Sequence, residues 1–196
     1  MPTHLTEEFI ANRLREFDHP NHSEPPFEQF QGKLPRPAAV LLPLLVQGGN
    51  WHILYTRRAD RVEHHKGQVS FPGGAADPQD HSPEDTALRE TEEEIGVRRT
   101  DVRVLGRLGQ MHTVTNFIVT PVVGVIPWPY GFKIHTLEVG RVFTMPLEWL
   151  ANKNNYQEFI RKETERALVA YYPFDGELLW GATARMTVSF IQALGL

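Results

Sequence analysis

The fold class expected of this chain is α/β. Strand-length apolar runs at residues 38–47, 51–57, 102–108 and 117–126 alternate with helical segments at 6–17 and 82–96 whose ends carry capping residues, an order that agrees with that class. At 196 residues the chain is large enough to bury a substantial core in one domain. Its 41 % apolar and 22 % charged residues are ordinary for a soluble globular protein.

Thr6, Glu7 and Glu8 open the first helix, and Phe9, Ile10, Leu14 and Phe17 give it an apolar stripe. Residues 18–37 carry five prolines and little periodicity, so residues 1–35 are expected to form a helix and an extended arm ahead of a domain spanning 36–196. The run AAVLLPLLVQ at 38–47 reads as a strand, Gly48, Gly49 and Asn50 as a turn, and WHILYTR at 51–57 as the returning strand. The following stretch, RRADRVEHHKGQVSFPGG, is rich in Arg, His and Lys and runs into an acidic segment. Either these cations neutralise neighbouring acids, or Arg57, Arg58 or Lys66 holds a phosphate beside a metal site. His64 and His65 lack a third ligand at metal spacing, which leaves them surface or phosphate-facing roles.

The acidic segment is GGAADPQDHSPEDTALRETEEEIGV, residues 73–97. Ser82 suits an N-cap, Pro83 the first helical position, Glu84 and Asp85 the positive end of the dipole, and Gly96 a left-handed stop. Between those marks Glu90, Glu93 and Glu94 fall on one arc of the helix, while Leu88, Thr91 and Ile95 occupy another that packs inward. Crowded carboxylates make either a solvated acidic face or a site for a hard divalent cation. Arg89 is spaced to pair with Glu93 at i,i+4.

The order R-E-x-x-E-E-x-G after a Gly-Gly loop resembles the Nudix box, G-x5-E-x7-R-E-U-x-E-E-x-G-U, of the Nudix hydrolases. Residues 89–97 match its second half, with Thr91 where a larger aliphatic residue is usual. The loop from Gly74 to Arg89 is one residue longer than the pattern, and Asp80 or His81 stands where the first glutamate belongs. Upstream, Thr56-Arg57-Arg58-Ala59 and Gly67-Gln68-Val69-Ser70-Phe71-Pro72-Gly73-Gly74 resemble the motif L-L-T-x-R-(S/A)-x3-R-x3-G-x3-F-P-G-G of family members that act on coenzyme A, with Glu63 where an arginine is usual. Downstream, residues 113–123 and 138–150, the hairpin expected at 156–172, and the sequence Leu179-Trp180-Gly181-Ala182-Thr183-Ala184 at a C-terminal helix agree with the same family. The plain reading of that last stretch is a tight helix start with Trp180 buried.

The resemblance implies an α/β/α sandwich around a mixed sheet. It implies a hydrolase that uses Mg²⁺ or Mn²⁺, held by Glu90 and Glu94 with Glu93 as a further ligand or water-positioning base and the Gly74 carbonyl as another donor. Arg89 completes the catalytic group. Arg57, Arg58, Lys66, Gly67, Gln68, Phe71, Gly73 and Gly74 are the implied substrate-binding residues. The implied substrate is a small nucleotide, coenzyme A or an acyl-CoA first, then another nucleoside diphosphate derivative such as ADP-ribose, NADH or a dinucleoside polyphosphate. A non-catalytic nucleotide-sensing module of the same fold is the third reading. Composition narrows the field independently. A formal charge of −4 argues against general nucleic-acid binding, and the absence of cysteine excludes disulfides and thiolate catalysis. No apolar run approaches the roughly 20 residues of a membrane span, and the acidic N-terminus has no signal-peptide core. A cytoplasmic monomer or homodimer is expected.

Overall fold

The apolar run at the centre of the first hairpin is buried on both sides, and the layers follow from that. The computed structural model describes residues 5–17, 34–59, 67–113, 115–161 and 166–196. Of the expected proline-rich arm at 18–37, residues 18–33 lie outside those described, as do Arg61, Glu63, His64, His65 and Lys66, while Arg36 and Pro37 already belong to a strand. Strand β1 (Arg36–Gln47) pairs antiparallel with β2 (Asn50–Arg58) and parallel with β7 (Phe117–Val125). Its N-terminal half also pairs antiparallel with β4 (Gly73–Ala75), register Ala38↔Ala75 and Ala39↔Gly74. β3 (Val69–Ser70) and β8 (Val139–Pro146) flank β2, and β5 (Arg103–Arg107) and β6 (Met111–His112) flank β7, giving one mixed eight-stranded sheet. A strand covered on both faces needs apolar side chains in both parities, which is why 38–47 reads as a continuous run and not an alternation.

The parities separate into two cores. Leu42 and Leu44 of β1 and Ile53 and Tyr55 of β2 face a layer made by α1 (Glu7–Phe17), α3 (Leu147–Ala151) and α4 (Gly181–Leu194). Ala39, Leu41, Leu45 and Leu54 face α2 (Pro83–Ile95). This is the expected α/β/α sandwich. A separate hairpin, β9 (Tyr156–Arg161) and β10 (Arg166–Tyr171), packs on α4.

Local sequence accounts for the joints. Gly48 and Gly49 take φ of +57° and +79° in the β1–β2 turn, a conformation that side chains resist. Thr6 caps α1 by accepting from the Phe9 N–H at 3.1 Å. Ile10 and Leu14 of that helix enter the core, Arg13 donates to the Ala193 carbonyl of α4 at 2.9 Å, and Glu7 pairs with Arg103 of β5. Phe9, expected on the apolar stripe, stays on the rim. The Tyr55 and Thr187 hydroxyls, both buried, meet at 3.0 Å and join β2 to α4. Trp180 departs from its plain reading: it caps α4 from an extended conformation and is 44 % exposed, because Leu179 takes the buried parity.

The two-faced burial of β1 has a measurable consequence. Leu42→Ala, at a site with no exposure, is expected to cost about 2–5 kcal/mol in urea unfolding. Val46→Ala, four residues along the same strand, should cost under about 1 kcal/mol. Equal losses would mean that β1 is not buried as described.

Candidate functional site

The site is built where β4, the loop after it and α2 meet. The α2 ends are those the sequence marks. Ser82 Oγ accepts from Asp85 N at 3.1 Å, and Gly96 stops the helix at φ +73° while donating to Glu92 O. Thr91 is fully buried where a larger aliphatic residue is usual, and its hydroxyl donates back to the Ala87 carbonyl at 2.6 Å. Backbonding of this kind satisfies a polar group inside the apolar arc.

Arg89 uses all of its guanidinium edges. Nε and Nη2 fork onto Asp80 at 3.1 and 2.9 Å, Nη2 also reaches the Ala75 carbonyl at 3.1 Å, and Nη1 donates to Glu90 at 2.7 Å and Glu93 at 3.3 Å. Of the two residues that stand in place of the first box glutamate, Asp80 is the one on the arginine. Hydrogen bonds from Arg89 hold the Asp80 carboxyl well below the usual carboxylate range. Asp80 also accepts from Thr86 Oγ1 at 2.9 Å and from the Asp77 N–H at 2.9 Å, which closes the longer loop on itself. The side chains of Glu90 and Glu93 are 18 % and 60 % exposed. Glu93 is therefore held by Arg89 on the solvent side, apart from the half-buried Glu90 and the buried Glu94.

Glu94 is 6 % exposed. Burial first, and the neighbouring Glu90 charge second, push its pKa up to about 8 from an ordinary 4.5, despite a hydrogen bond from the Gly73 backbone and the nearby Arg58 charge. Glu90 is raised too, chiefly by burial. Gly73, at φ +151° against the β1 backbone, is required by close approach, while a side chain at Gly74 would displace the Glu90 carboxyl group. A Cβ on Gly74 would sit 2.6 Å from the Glu90 carboxyl carbon, and one on Gly73 would sit 2.4 Å from the Ala39 carbonyl oxygen.

A third carboxylate, Glu138, comes to this pair from a part of the chain where the sequence gives no acidic signature. Its charge raises both Glu90 and Glu94. The loop that carries it is fastened to the C-terminal end of α2: Lys133 N donates to Ile95 O at 3.0 Å and His135 N to Glu94 O at 2.8 Å. Its far end is fastened to β2, where Ala59 N donates to Glu138 O at 2.8 Å. The loop thus satisfies helix-end carbonyls that otherwise have no partner and sets Glu138 against Glu94 in doing so. His135 Nδ1 lies 3.2 Å from Glu138 Oε1.

The basic residues divide by strand parity. Arg58 lies on the α2 side, near enough for its charge to act on Glu94, and its buried Nε makes no hydrogen bond among the described residues. Arg57 lies on the other side, 3.7 Å from Glu177, which Arg141 also holds. Gln68 O accepts from Arg58 N at 2.9 Å, so Gly67 and Gln68 lie along the end of β2, and Phe71 stacks on Tyr55 with ring centroids 5.0 Å apart in the core.

Among the described residues no group of three or more His, Cys, Asp or Glu side chains is placed to hold a metal ion. The donor set nevertheless fits a hard divalent cation. Glu94 is a buried carboxylate raised well above its usual range, Glu90 lies beside it, and the bare Cα of Gly74 lets β4 pass close to the Glu90 carboxyl group.

A sequence profile described as NUDIX domain matches residues 34–167. A Photorhabdus laumondii protein named as an uncharacterized Nudix hydrolase NudL is 36 % identical over 175 residues, covering 84 % of this chain and 93 % of its own. A Yersinia pestis protein of the same name is 37 % identical over 164 residues, covering 82 % and 81 %. Among solved structures, the Nudix hydrolase RenU of M. Smegmatis superposes with a TM-score of 0.51 at 22 % identity over 59 % of this chain and 73 % of its own, a likeness of fold.

The raised Glu94 gives a signed pH dependence. Its folded-state pKa of about 8 exceeds the ordinary 4.5, so the metal-free protein binds a proton on folding within that window. Stability therefore falls as pH rises from about 4.5 to 8, by on the order of a few kcal/mol. Glu94→Gln should flatten that slope in chelator, and added Mg²⁺ or Mn²⁺ should restore stability to the parent at pH 8 but not to the variant. Parallel pH profiles for both proteins in chelator would show that Glu94 is not the strained group.

Proposed function

The chain belongs to the Nudix hydrolase family, and within it we propose that it cleaves the diphosphate of coenzyme A or an acyl-CoA, releasing 3′,5′-ADP and (acyl-)4′-phosphopantetheine. The observation that carries this reading is Arg58, the arginine of the upstream motif, set beside the Glu90–Glu94 pair with a buried Nε that makes no hydrogen bond among the described residues. A guanidinium next to buried carboxylates suits a ligand that brings phosphate oxygens to the one and a cation to the other.

Glu90 and Glu94, with the Gly74 carbonyl, would hold Mg²⁺ or Mn²⁺. The chemistry supplied by a cation held there is neutralisation of the diphosphate charge and acidification of water. The residues around it do the rest. Arg58 takes an oxygen of the phosphate being attacked or released, and Gly67 and Gln68 shape the end of β2 that leads to it, while Phe71, buried against Tyr55, supports that end from the core. Lys66 joins them in the proposal from sequence alone. Arg89 keeps Glu90 turned inward. Glu93 and Glu138 are the two carboxylates left to take the proton of the attacking water; both side chains are about half or more exposed, and the charge of each acts on Glu90. Arg57, spent on Glu177, reaches substrate only by giving up that pair.

Glu63 in place of the motif's second arginine favours a second reading, in which the same chemistry acts on another nucleoside diphosphate derivative. Product analysis separates the two. The protein with Mg²⁺ or Mn²⁺ is given coenzyme A, ADP-ribose, NADH and a dinucleoside polyphosphate separately. The highest kcat/KM is expected with coenzyme A, with 3′,5′-ADP as product. Glu94→Gln should lose at least about 10²-fold in kcat while remaining folded, and Arg58→Ala a similar factor in kcat/KM. A better substrate elsewhere in the panel would reassign specificity, and an active, folded Glu94→Gln protein would remove the carboxylate pair from the mechanism.

A further inference from the structure

The β9–β10 hairpin gains a third extended segment. Ala170 of β10 bridges antiparallel to Trp180, and Tyr171 N donates to Leu179 O at 2.8 Å, so residues 178–180 run along β10 on the side away from β9. Side chains then sort by parity. Val169, Tyr171 and Leu179 point inward and are buried in the layer that contains α4. The other parity forms a second face. Gln157, Ala170 and Trp180 make one row across it, with Phe159 opposite Leu168 on one side and Tyr172 beside Leu178 on the other.

On that face Phe159, Tyr172, Leu178 and Trp180 are each 44–49 % exposed. β1 is apolar in both parities and is covered on both sides, whereas this small sheet is apolar in both parities and is covered on one. The face is also firmly held. Leu179 is buried beneath it, and Glu177 ties the same segment to Arg57 of β2 and Arg141 of β8.

Charge, area and shape together indicate the missing cover. Among the described residues the face carries no charged side chain, and its two polar ones meet, the Gln157 amide donating to the Tyr172 hydroxyl. The formal charge of −4 is therefore carried elsewhere, and two copies can meet here without opposing like charges. About half the surface of three aromatic side chains and a leucine amounts to roughly 400 Å² of apolar area. That suffices for the centre of a standard interface, which buries roughly 800 Å² per partner. Two copies of one twisted sheet share the same twist, so their faces can pack aligned at about −30°.

We propose that this face is a homodimer contact, in which a second copy of the chain lays the same three segments over the first about a two-fold axis. The carboxylate site lies on the α2 side of the main sheet, so the contact leaves both sites open.

Sedimentation equilibrium of the whole chain, from about 1 to 200 μM, reads the mass directly, and a dimer with a micromolar Kd is expected. Trp180→Glu and Phe159→Glu, at opposite margins of the face and already exposed, should each weaken association at least about 10-fold with the far-UV circular dichroism unchanged. Ile160→Glu, on the other face of the same hairpin and more exposed still, should leave the dimer as it is. The thermal midpoint of the parent should rise with protein concentration, and that of Trp180→Glu should not. A parent that stays monomeric at about 200 μM overturns the proposal. So does a dimer that survives both face variants, or one that Ile160→Glu dissolves as readily, which would put the contact on the open edge of β9.

Discussion

Arg89 is the joint on which the rest of the carboxylate site depends. Its planar fork meets Asp80 in the loop, the Ala75 carbonyl of β4, and Glu90 and Glu93 on its own helix. One side chain thus ties three segments together. A lysine would present a point charge in place of this geometry and could not hold the bidentate Asp80 bond and the Glu90 bond together. The arrangement also explains why the box tolerates a loop one residue longer and an aspartate for a glutamate. What the arginine needs is a carboxylate at a fixed place, and the loop's own bonds among Asp77, Asp80 and Thr86 put one there.

That joint leaves Glu94 deliberately unserved. Arg89 neutralises Asp80 and shares charge with Glu90 and Glu93, but it does not reach Glu94, whose nearest influences include two other carboxylates. A buried anion among like charges is a cost in the metal-free fold. Stability is therefore supplied elsewhere, by the two-sided burial of β1 and β2 and by the hydroxyl pair of Tyr55 and Thr187. Strain concentrated on the group proposed to hold the cation, and relieved by that cation, is the usual relation between stability and function at such sites.

Much of this was legible in the sequence, and the parts that were not have definite reasons. Ser82, Pro83 and Gly96 marked the ends of α2 because capping is local, and the i,i+4 rule gave Arg89 with Glu93. The helical arc placed Glu90, Glu93 and Glu94 together but could not say that Glu93 would be drawn outward, since that depends on what Arg89 meets across the loop. Asp80 and His81 were indistinguishable until the turn was built. Arg57 and Arg58, adjacent and equally basic, fall on opposite faces by strand parity, and the register shift between them makes the sequence a poor guide to which faces the acids. The plain reading of a helix start buries Trp180, whereas the chain buries Leu179 and turns Trp180 outward.

Glu138 shows why a residue of this importance escapes a motif. Nothing in its own neighbourhood, H-T-L-E-V, advertises metal or acid–base chemistry, because the partners that matter lie more than forty positions away on α2. What delivers it is the need of a helix end for donors. Carbonyls of Glu94 and Ile95 are satisfied by the N–H groups of His135 and Lys133, so the segment entering β8 must lie across the end of α2, and its last residue arrives beside Glu94. The same backbone bonds that complete the helix thus complete the acidic cluster. A signal does exist in principle, in that a charged residue immediately before a strand bordering the Arg58 end of β2 has few other places to go, but it becomes readable only once the pairing Arg58↔Val139 is known. Any change that loosens the loop from α2 therefore acts on the helix end and on the placement of Glu138 together.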